Sequence, residues 1–183
     1  MAFKHVLIAT GIYPPDIGGP AFFASRFAEE CVRRNIVTTV VSYGVPRRIS
    51  EIRIYGVSRA WPRGIRHAIY FFTLFFAAMG TDVIFALDSL GAGLPALLVS
   101  RLLRKRLIMR LGGDFLWEKY ANAGRPMTLR TFYERGLHRT YALLFPLIRF
   151  VLQRADVVVF TTAFQRDIFI RAYALSLSRV RVI

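Results

Sequence analysis

The chain has 183 residues, enough for one domain with a sizeable core. Hydrophobic residues make up 55% of it, and 26 basic against 11 acidic residues give a formal charge of +15. All but three of the basic residues are arginines, which favour bidentate contacts with phosphate, so we expect an anionic partner. The single cysteine, Cys31, excludes an internal disulfide and a cysteine metal cluster, and its spacing from Phe23 and Phe27 predicts a core position.

Strand-like and helical patterns alternate along the chain. The strand-like runs are mostly continuous apolar stretches, typical of parallel strands buried on both faces, at Phe3–Ala9, Val37–Tyr43, Ile52–Val57, Asp82–Ala86, Leu107–Leu111, Asp156–Thr161 and Arg179–Ile183. The helical patterns lie at Pro20–Arg34, Arg66–Met79, Leu90–Leu103, Leu129–Arg154 and Ala163–Ala174, the last opened by a capping box of Thr162 and Gln165. This order predicts one Rossmann-like α/β domain over residues 1–183, doubly wound around a mainly parallel sheet.

A glycine-rich turn, Tyr13–Pro20, separates the first predicted strand from the first helix. Gly18 and Gly19 allow a ligand to approach the backbone closely, and Pro20 suits the first helical position. Free amides and the helix dipole would then face an anion, which predicts a phosphate site. The alternative is a tight turn that only packs the helix on the strand. The dinucleotide fingerprint is excluded, because Gly11 and Gly18 are too far apart for G-x-G-x-x-G.

Two further loops follow predicted strands, at Leu87–Gly93 and Gly112–Glu118. Ligands of doubly wound sheets bind outside the carboxyl ends of the strands, so we expect both loops to line the cleft of the glycine turn. A carboxylate at the end of a strand can accept sugar hydroxyls or cap a helix, and both roles stay open for Asp88. Trp117 offers an apolar face to a sugar ring or packs into the core. The candidate cleft residues are Asp88, Ser89, Gly112, Gly113, Asp114, Trp117 and Glu118.

Two segments are apolar enough to raise the question of a membrane, Ala68–Gly80 and Ala142–Leu152. Both are shorter than the roughly 20 residues that span a bilayer, so we predict buried or interfacial helices, and no secretory signal is evident. The basic cluster Arg101–Arg106 is typical of a solvated helix end. The basic stretch Arg125–Arg154 fits a helix on an anionic membrane or a core helix with basic outer positions.

The sequence gives little support for a metal site, a serine nucleophile or a nucleoside triphosphatase. The three histidines have no metal-ligand spacing, and neither G-x-S-x-G nor the phosphate loop of nucleoside triphosphatases occurs. No motif that reads DNA or RNA is visible. If the protein is an enzyme, we therefore do not expect nucleic acid as its partner.

Four stretches in order resemble the N-terminal domain of glycosyltransferase family 4, the retaining enzymes of the two-domain GT-B fold. They are YPPDIGGPA, DVIFALDSLGAGLPALLVSRLL, GGDFLWEKY and RADVVVFTTAFQRDIF, and the third resembles a subgroup with a G-D-[FYW]-x-W-E stretch. The resemblance implies that Gly18 and Gly19 lie against the diphosphate of a nucleotide-sugar, and that Asp114, Trp117 and Glu118 face the acceptor. Gly112 stands where many relatives have a histidine, so the catalytic residue stays unassigned.

The resemblance also implies a second Rossmann-like domain, which binds the donor and carries E-x7-E, and which these residues do not contain. We therefore expect the acceptor-side half of a hexosyltransferase, truncated or encoded separately from its donor domain, and inactive alone. It would move a sugar with retention from a nucleotide diphosphate-sugar, its co-substrate, to a glycan or lipid-linked acceptor, with no cofactor or metal. The expected location is cytoplasmic and peripheral on the inner membrane face. The alternative function is a non-catalytic basic domain that binds an anionic membrane or nucleic acid.

Overall fold

A computed structural model describes residues 3–46 and 51–183 of the chain. The strands of its single sheet are β1 His5–Thr10, β2 Val37–Tyr43, β3 Arg53–Val57, β4 Val83–Ala86, β5 Arg106–Leu111, β6 Val157–Phe160 and β7 Val180–Val182. The helices are α1 Gly19–Arg33, α2 Arg63–Ala78, α3 Gly93–Leu102, α4 Phe115–Ala121, α5 Leu129–Glu134, α6 Leu144–Arg154 and α7 Ala163–Tyr173. Short 3₁₀ turns lie at Leu137–Thr140 and Leu177–Arg179.

The sheet is parallel throughout, with the strand order β3-β2-β1-β4-β5-β6-β7. Strand β1 lies near its middle, where Val6 pairs with Thr38 of β2 on one side and with Val83 of β4 on the other. The chain therefore winds outward in both directions from β1 and β4. This confirms the predicted Rossmann-like α/β fold, and it creates a crevice at the carboxyl ends of these two strands.

Helices cover both faces of the sheet unequally. Helix α1 packs on one face through buried alanines such as Ala24 and Ala28, together with Phe23 and Phe27. Helices α2 to α7 contribute to the cluster on the opposite face. Cys31 is buried on α1, as predicted.

The predicted long helix Leu129–Arg154 is wrong, because the structure breaks it into α5, a 3₁₀ turn and α6. Gly136 has a φ of 69°, in the left-handed region, and ends the first piece. Pro146 lies in the first turn of α6, where a missing amide costs little. Glycine and proline thus mark both boundaries.

The prediction of a loop over Gly112–Glu118 is wrong in its second half, because α4 begins at Phe115. The apolar segment Ala68–Gly80 lies mostly in α2, whose Tyr70, Leu74 and Ala78 are buried against the sheet. Across the described parts of the chain, no helix combines the length and the apolar character required to cross a membrane.

Candidate active site

The glycine turn lies where the sequence predicts it, between the carboxyl end of β1 and the first turn of α1. Gly18 precedes the helix with a φ of 155°, and a Cβ on it would lie 2.9 Å from Cδ1 of Ile12. Gly19 is different, because nothing lies within 4 Å of the position its Cβ would take. Gly18 thus provides the backbone conformation, whereas Gly19 leaves open space at the helix N-terminus.

The N-terminus of α1 differs from that of the helices with side-chain caps. Asp114, Thr128 and Thr162 accept hydrogen bonds from first-turn amides of α4, α5 and α7. Within residues 3–46 and 51–183, α1 has neither a side-chain cap nor an acidic residue in its first turn. Its first amides and its dipole are therefore available to an external anion.

An ion pair holds the glycine turn against the segment that follows β3. Arg59 donates to both carboxylate oxygens of Asp16, at 3.0 Å and 2.6 Å, and also to the carbonyl of Gly11 at 3.4 Å. The hydrogen bond from Arg59 lowers the pKa of Asp16. This bidentate contact fixes the outer wall of the crevice.

A pocket of about 520 Å³ opens beside this ion pair. Its floor includes Tyr43, which ends β2; its hydroxyl lies 2.8 Å from Nδ1 of His67 and donates to the carbonyl of Gly91 at 3.1 Å. The guanidinium of Arg66 lies 5.7 Å from the centre of the Tyr43 ring. The pocket therefore combines the ion pair of Asp16 and Arg59 with the cation of Arg66, an imidazole and an aromatic ring, a suitable lining for a polar group.

Asp88 follows β4 and caps the start of α3. Its carboxylate accepts from the amides of Leu90 at 3.0 Å, Ala92 at 2.9 Å and Gly93 at 3.3 Å. Burial raises the pKa of this carboxyl, and these amides oppose the rise. Of the two roles left open by the sequence, capping accounts for all of these bonds, and Ser89 beside it is buried. A sugar contact by either residue stays a prediction.

Asp114 is only 3% exposed and belongs to an internal network. It accepts from the amide of Trp117 at 2.7 Å and from the hydroxyl of Tyr133 at 2.5 Å. That hydroxyl also lies 2.8 Å from the hydroxyl of Tyr173. Burial raises the pKa of Asp114, while the two donors act in the opposite direction. Both oxygens thus have protein partners, which makes Asp114 a support of the site.

The rest of this predicted group divides into buried and accessible residues. Trp117 is half-buried against the core, and its indole N–H donates to the carbonyl of Met127 at 2.9 Å. Gly112 and Gly113 are exposed just after β5, and Glu118 is exposed on α4. A Cβ on Gly113 would collide with the carboxylate of Glu118, and partial desolvation raises the pKa of Glu118.

Gln165 does not complete the predicted capping box. The hydroxyl of Thr162 accepts from the backbone amide of Gln165 at 3.1 Å, as expected. Its side chain, however, donates to the carbonyl of Gly113 at 2.9 Å. It therefore ties α7 to the loop after β5 instead of reaching back to the start of its own helix.

Arg110 lies one strand away from the crevice, on the face that α1 covers. Its guanidinium stacks over the ring of Phe23, 3.6 Å from the centroid, and its Nη1 would lie 3.2 Å from a Cβ on Gly112. Its Nε is buried without a hydrogen-bond partner in the described structure, and burial lowers its pKa. Arg110 is thus a cation held close to the N-terminal half of α1.

The structure brings the loops after β1 and β4 together, because a Cβ on Gly11 would lie 3.3 Å from Oδ2 of Asp88. The loop after β5 lies at the same edge of the sheet, on the next strand. Five further residues at this edge were not predicted from the sequence: Tyr43, Arg59, Arg66, His67 and Arg110. Tyr43 and Arg110 could have been found, since they end or nearly end strands of a parallel sheet. The positions of Arg59 and Arg66 could not be predicted in this way, because they depend on where α2 begins.

A second pocket, of about 390 Å³, lies between α5 and α7. Its charged residues are of both signs, including Arg130 and Arg171 with Glu134 and Asp167. It does not open at the crevice between β1 and β4, so we assign the candidate site to the first pocket. In residues 3–46 and 51–183 no three His, Cys, Asp or Glu side chains are grouped as metal ligands.

The fold and this edge define a Rossmann-like domain with an uncapped helix N-terminus at the carboxyl ends of its strands. Residues 17–183 match the model of Glycosyltransferase Family 4, and the chain belongs to that family. No curated protein matches the sequence.

Solved structures with the same fold have much longer chains. Anabaena Alr3699/HepE, crystallised with UDP and glucose, is 15% identical, with a TM-score of 0.64 over 100% of this chain and 44% of its own. A putative UDP-N-acetylglucosamine 2-epimerase from Listeria monocytogenes is 14% identical, with a TM-score of 0.62 over 98% and 45%. The calicheamicin glycosyltransferase CalG4 is 12% identical, with a TM-score of 0.51 over 88% and 48%. The present chain spans less than half the length of each, as a GT-B half-domain.

Proposed function

We propose that this protein is the acceptor-side part of a retaining glycosyltransferase. It would transfer a sugar from a nucleotide diphosphate-sugar to a glycan or lipid-linked acceptor. Membership of glycosyltransferase family 4 supports the reaction class. The observation that carries the residue assignment is the open N-terminus of α1 at Gly19, beside a pocket that contains Arg59 and Arg66.

The leaving diphosphate gains negative charge as the bond to the sugar breaks. Preorganised amides at a helix N-terminus stabilise such charge without rearranging during the reaction. Gly18 and Gly19 provide this environment in the proposal, and no resident cofactor or metal is needed for it. The acceptor would enter by the pocket, where Arg66 and His67 can contact its polar groups. The exposed residues Gly112, Gly113 and Glu118 would form the opposite side of the acceptor cleft.

The alternative of a non-catalytic basic domain receives less support, because the family match covers residues 17–183. The membrane binding that this alternative includes is nevertheless compatible with transfer to a lipid-linked acceptor. The proposal therefore includes a cytoplasmic location with peripheral contact to an anionic membrane. The donor base and ribose would be bound by a second Rossmann-like domain, as the family resemblance implies.

Gly19→Asp tests the diphosphate assignment in the full-length protein. The substitution keeps the fold, because space is open and an acidic residue is favourable in the first turn of a helix. It places a negative charge where the diphosphate is expected, so transfer from a labelled nucleotide-sugar should fall about 100-fold or more. NMR of the anomeric centre of the product tests retention.

Gly80→Asp is the matched control. Its Cβ position is equally open, but Gly80 lies just before β4, at the opposite edge of the sheet. Transfer to a soluble glycan acceptor should be unchanged in this variant. Normal turnover by Gly19→Asp would overturn the diphosphate assignment, and a product of inverted configuration would overturn retention.

A further inference from the structure

Three neighbouring helices on one face of the sheet differ in composition from the helix on the other face. Helix α2 packs against α3, and α3 packs against α6. None of the three contains an aspartate or a glutamate. Helix α1 has the pattern of a water-facing helix, with Glu29 paired to Arg26 at 3.1 Å and Glu30 paired to Arg34 at 2.7 Å.

The outward surface of α2, α3 and α6, which we call the acid-free face, is apolar and accessible. Single exposed hydrophobic residues are ordinary, but here they recur at helical spacing on adjacent helices. Phe76 is 67% exposed, and it lies on the side of α2 opposite the buried Leu74. The main members are Phe72, Phe76, Met79, Leu98, Leu102 and Phe150.

Arginine and lysine side chains border this face where α3 and α6 end. Arg101 on α3 donates to the backbone carbonyl of Arg154 on α6, which joins the two ends. The guanidinium of Arg154 lies 4.0 Å from the centre of the Phe150 ring. A depression of about 440 Å³ beside them is lined by Arg101, Arg104, Lys105 and Arg106, with Asp156 as its acidic residue.

We propose that the acid-free face docks on an anionic lipid bilayer, with its aromatic and aliphatic side chains at the headgroup boundary. The proposal deepens the proposed function and rests on its peripheral membrane contact. Interfacial helices combine an apolar face with cationic residues that contact anionic headgroups, and both are present here. Arg104, Lys105 and Arg106 lie at the rim, where lipid phosphates can reach them. The charges favour an anionic bilayer as the partner of this face. The face has no carboxylates, and it borders the basic depression, so it complements a negatively charged surface.

Flotation of the full-length protein with vesicles tests this surface without any sugar substrate. The protein should bind vesicles that contain phosphatidylglycerol and not those of phosphatidylcholine alone. Phe72→Ser with Phe76→Ser should lower the partition coefficient about tenfold or more, since two exposed phenyl groups are lost. Arg104→Gln with Lys105→Gln should lower it about fivefold for each charge removed.

Phe22→Ser is the matched control, because Phe22 is 66% exposed on α1, the helix on the other face. It should leave vesicle binding unchanged. A second measurement detects contact with the bilayer directly and does not require a variant that has lost vesicle binding. In vesicles with brominated acyl chains, the fluorescence of Phe76→Trp should be quenched, whereas that of Phe22→Trp should not.

Equal binding by the Phe72→Ser, Phe76→Ser variant, or quenching at both tryptophan positions, would overturn the proposal. So would a dimer that this variant converts to a monomer without loss of vesicle binding, since the face would then contact a second copy. Transfer to a soluble glycan acceptor should be unaffected by the variant. Loss of docking with normal soluble transfer therefore separates this inference from the proposed function.

Discussion

At Asp114, burial and hydrogen bonding act in opposite directions on the pKa of one carboxyl group. Burial dominates and raises the folded-state pKa above the unfolded value of about 3.9. Between these two pKa values the folded state binds more protons than the unfolded state. The free energy of unfolding therefore falls as the pH rises through that interval, as far as Asp114 contributes to it.

Asp114→Asn should remove this contribution. An amide can still accept from the amide of Trp117, so we expect the cap of α4 to persist. The stability of the variant relative to the unsubstituted protein should then increase as the pH rises from about 3.9 through the folded-state pKa. Urea unfolding over a pH series measures this difference.

Asp82→Asn provides a control of the opposite sign. Asp82 accepts from the amides of Lys4 at 2.8 Å and His5 at 3.0 Å, and these bonds lower its pKa. Its contribution is present above the unfolded pKa and is lost as the pH falls through the folded pKa. Relative stability should therefore decrease with rising pH in this variant. A difference for Asp114→Asn that is flat or follows the trend of Asp82→Asn would contradict the account given for Asp114.

Among the helices, the break between α5 and α6 depends on one glycine. Gly136 has a φ of 69° and nothing within 4 Å of its Cβ position, so alanine there meets only a backbone penalty. We expect Gly136→Ala to lower the free energy of unfolding by about 1 kcal/mol. Urea denaturation measures the change, and no effect on stability would mean that the left-handed turn is not required.

Gly64→Ala should have the opposite effect. Gly64 lies in the first turn of α2 with equally open space and no left-handed φ. Alanine is the better helix former, so a gain of about 0.5 kcal/mol is expected. Replacement of glycine by alanine at these two open positions thus separates the effect of backbone conformation on stability from that of side-chain packing.

The strands and most helices could be predicted because hydrophobic runs and turn residues act locally. The break at Gly136 was visible as a glycine, but periodicity across Leu129–Arg154 outweighed it. The end of the glycine turn at α1 was also predictable, since a strand, two glycines and a proline occur together. The internal hydrogen-bonded role of Asp114 was not predictable, because Tyr133 reaches it from 19 residues away in sequence. Likewise the pairing of Asp16 with Arg59 depends on how β3 and α2 are placed.

At the scale of the whole molecule, we predict that residues 1–183 alone transfer no sugar. In the proposed function, the turn at Gly19 would offer a diphosphate a few hydrogen bonds, each contributing about 0.5–3 kcal/mol. Holding donor and acceptor together can supply about 7–11 kcal/mol of a barrier, and one side of a cleft supplies little of that. Labelled nucleotide-sugars with a lipid-phosphate acceptor should yield no product.

Addition of a donor-domain chain should restore the reaction, and Gly19→Asp should abolish it again. Robust turnover by residues 1–183 without that chain is the result that would contradict this prediction.

The central position of β1 has a consequence for synthesis on the ribosome. Its partner β2 ends at Tyr43, whereas its other partner β4 begins only at Val83. At about 5–20 residues per second, the roughly 40 residues between them take about 2–8 s to be made. During that time one edge of an apolar strand in the nascent chain has no partner. An unpaired edge of an apolar strand can pair with another chain, so slower translation of this stretch would prolong the exposure of the nascent chain to aggregation.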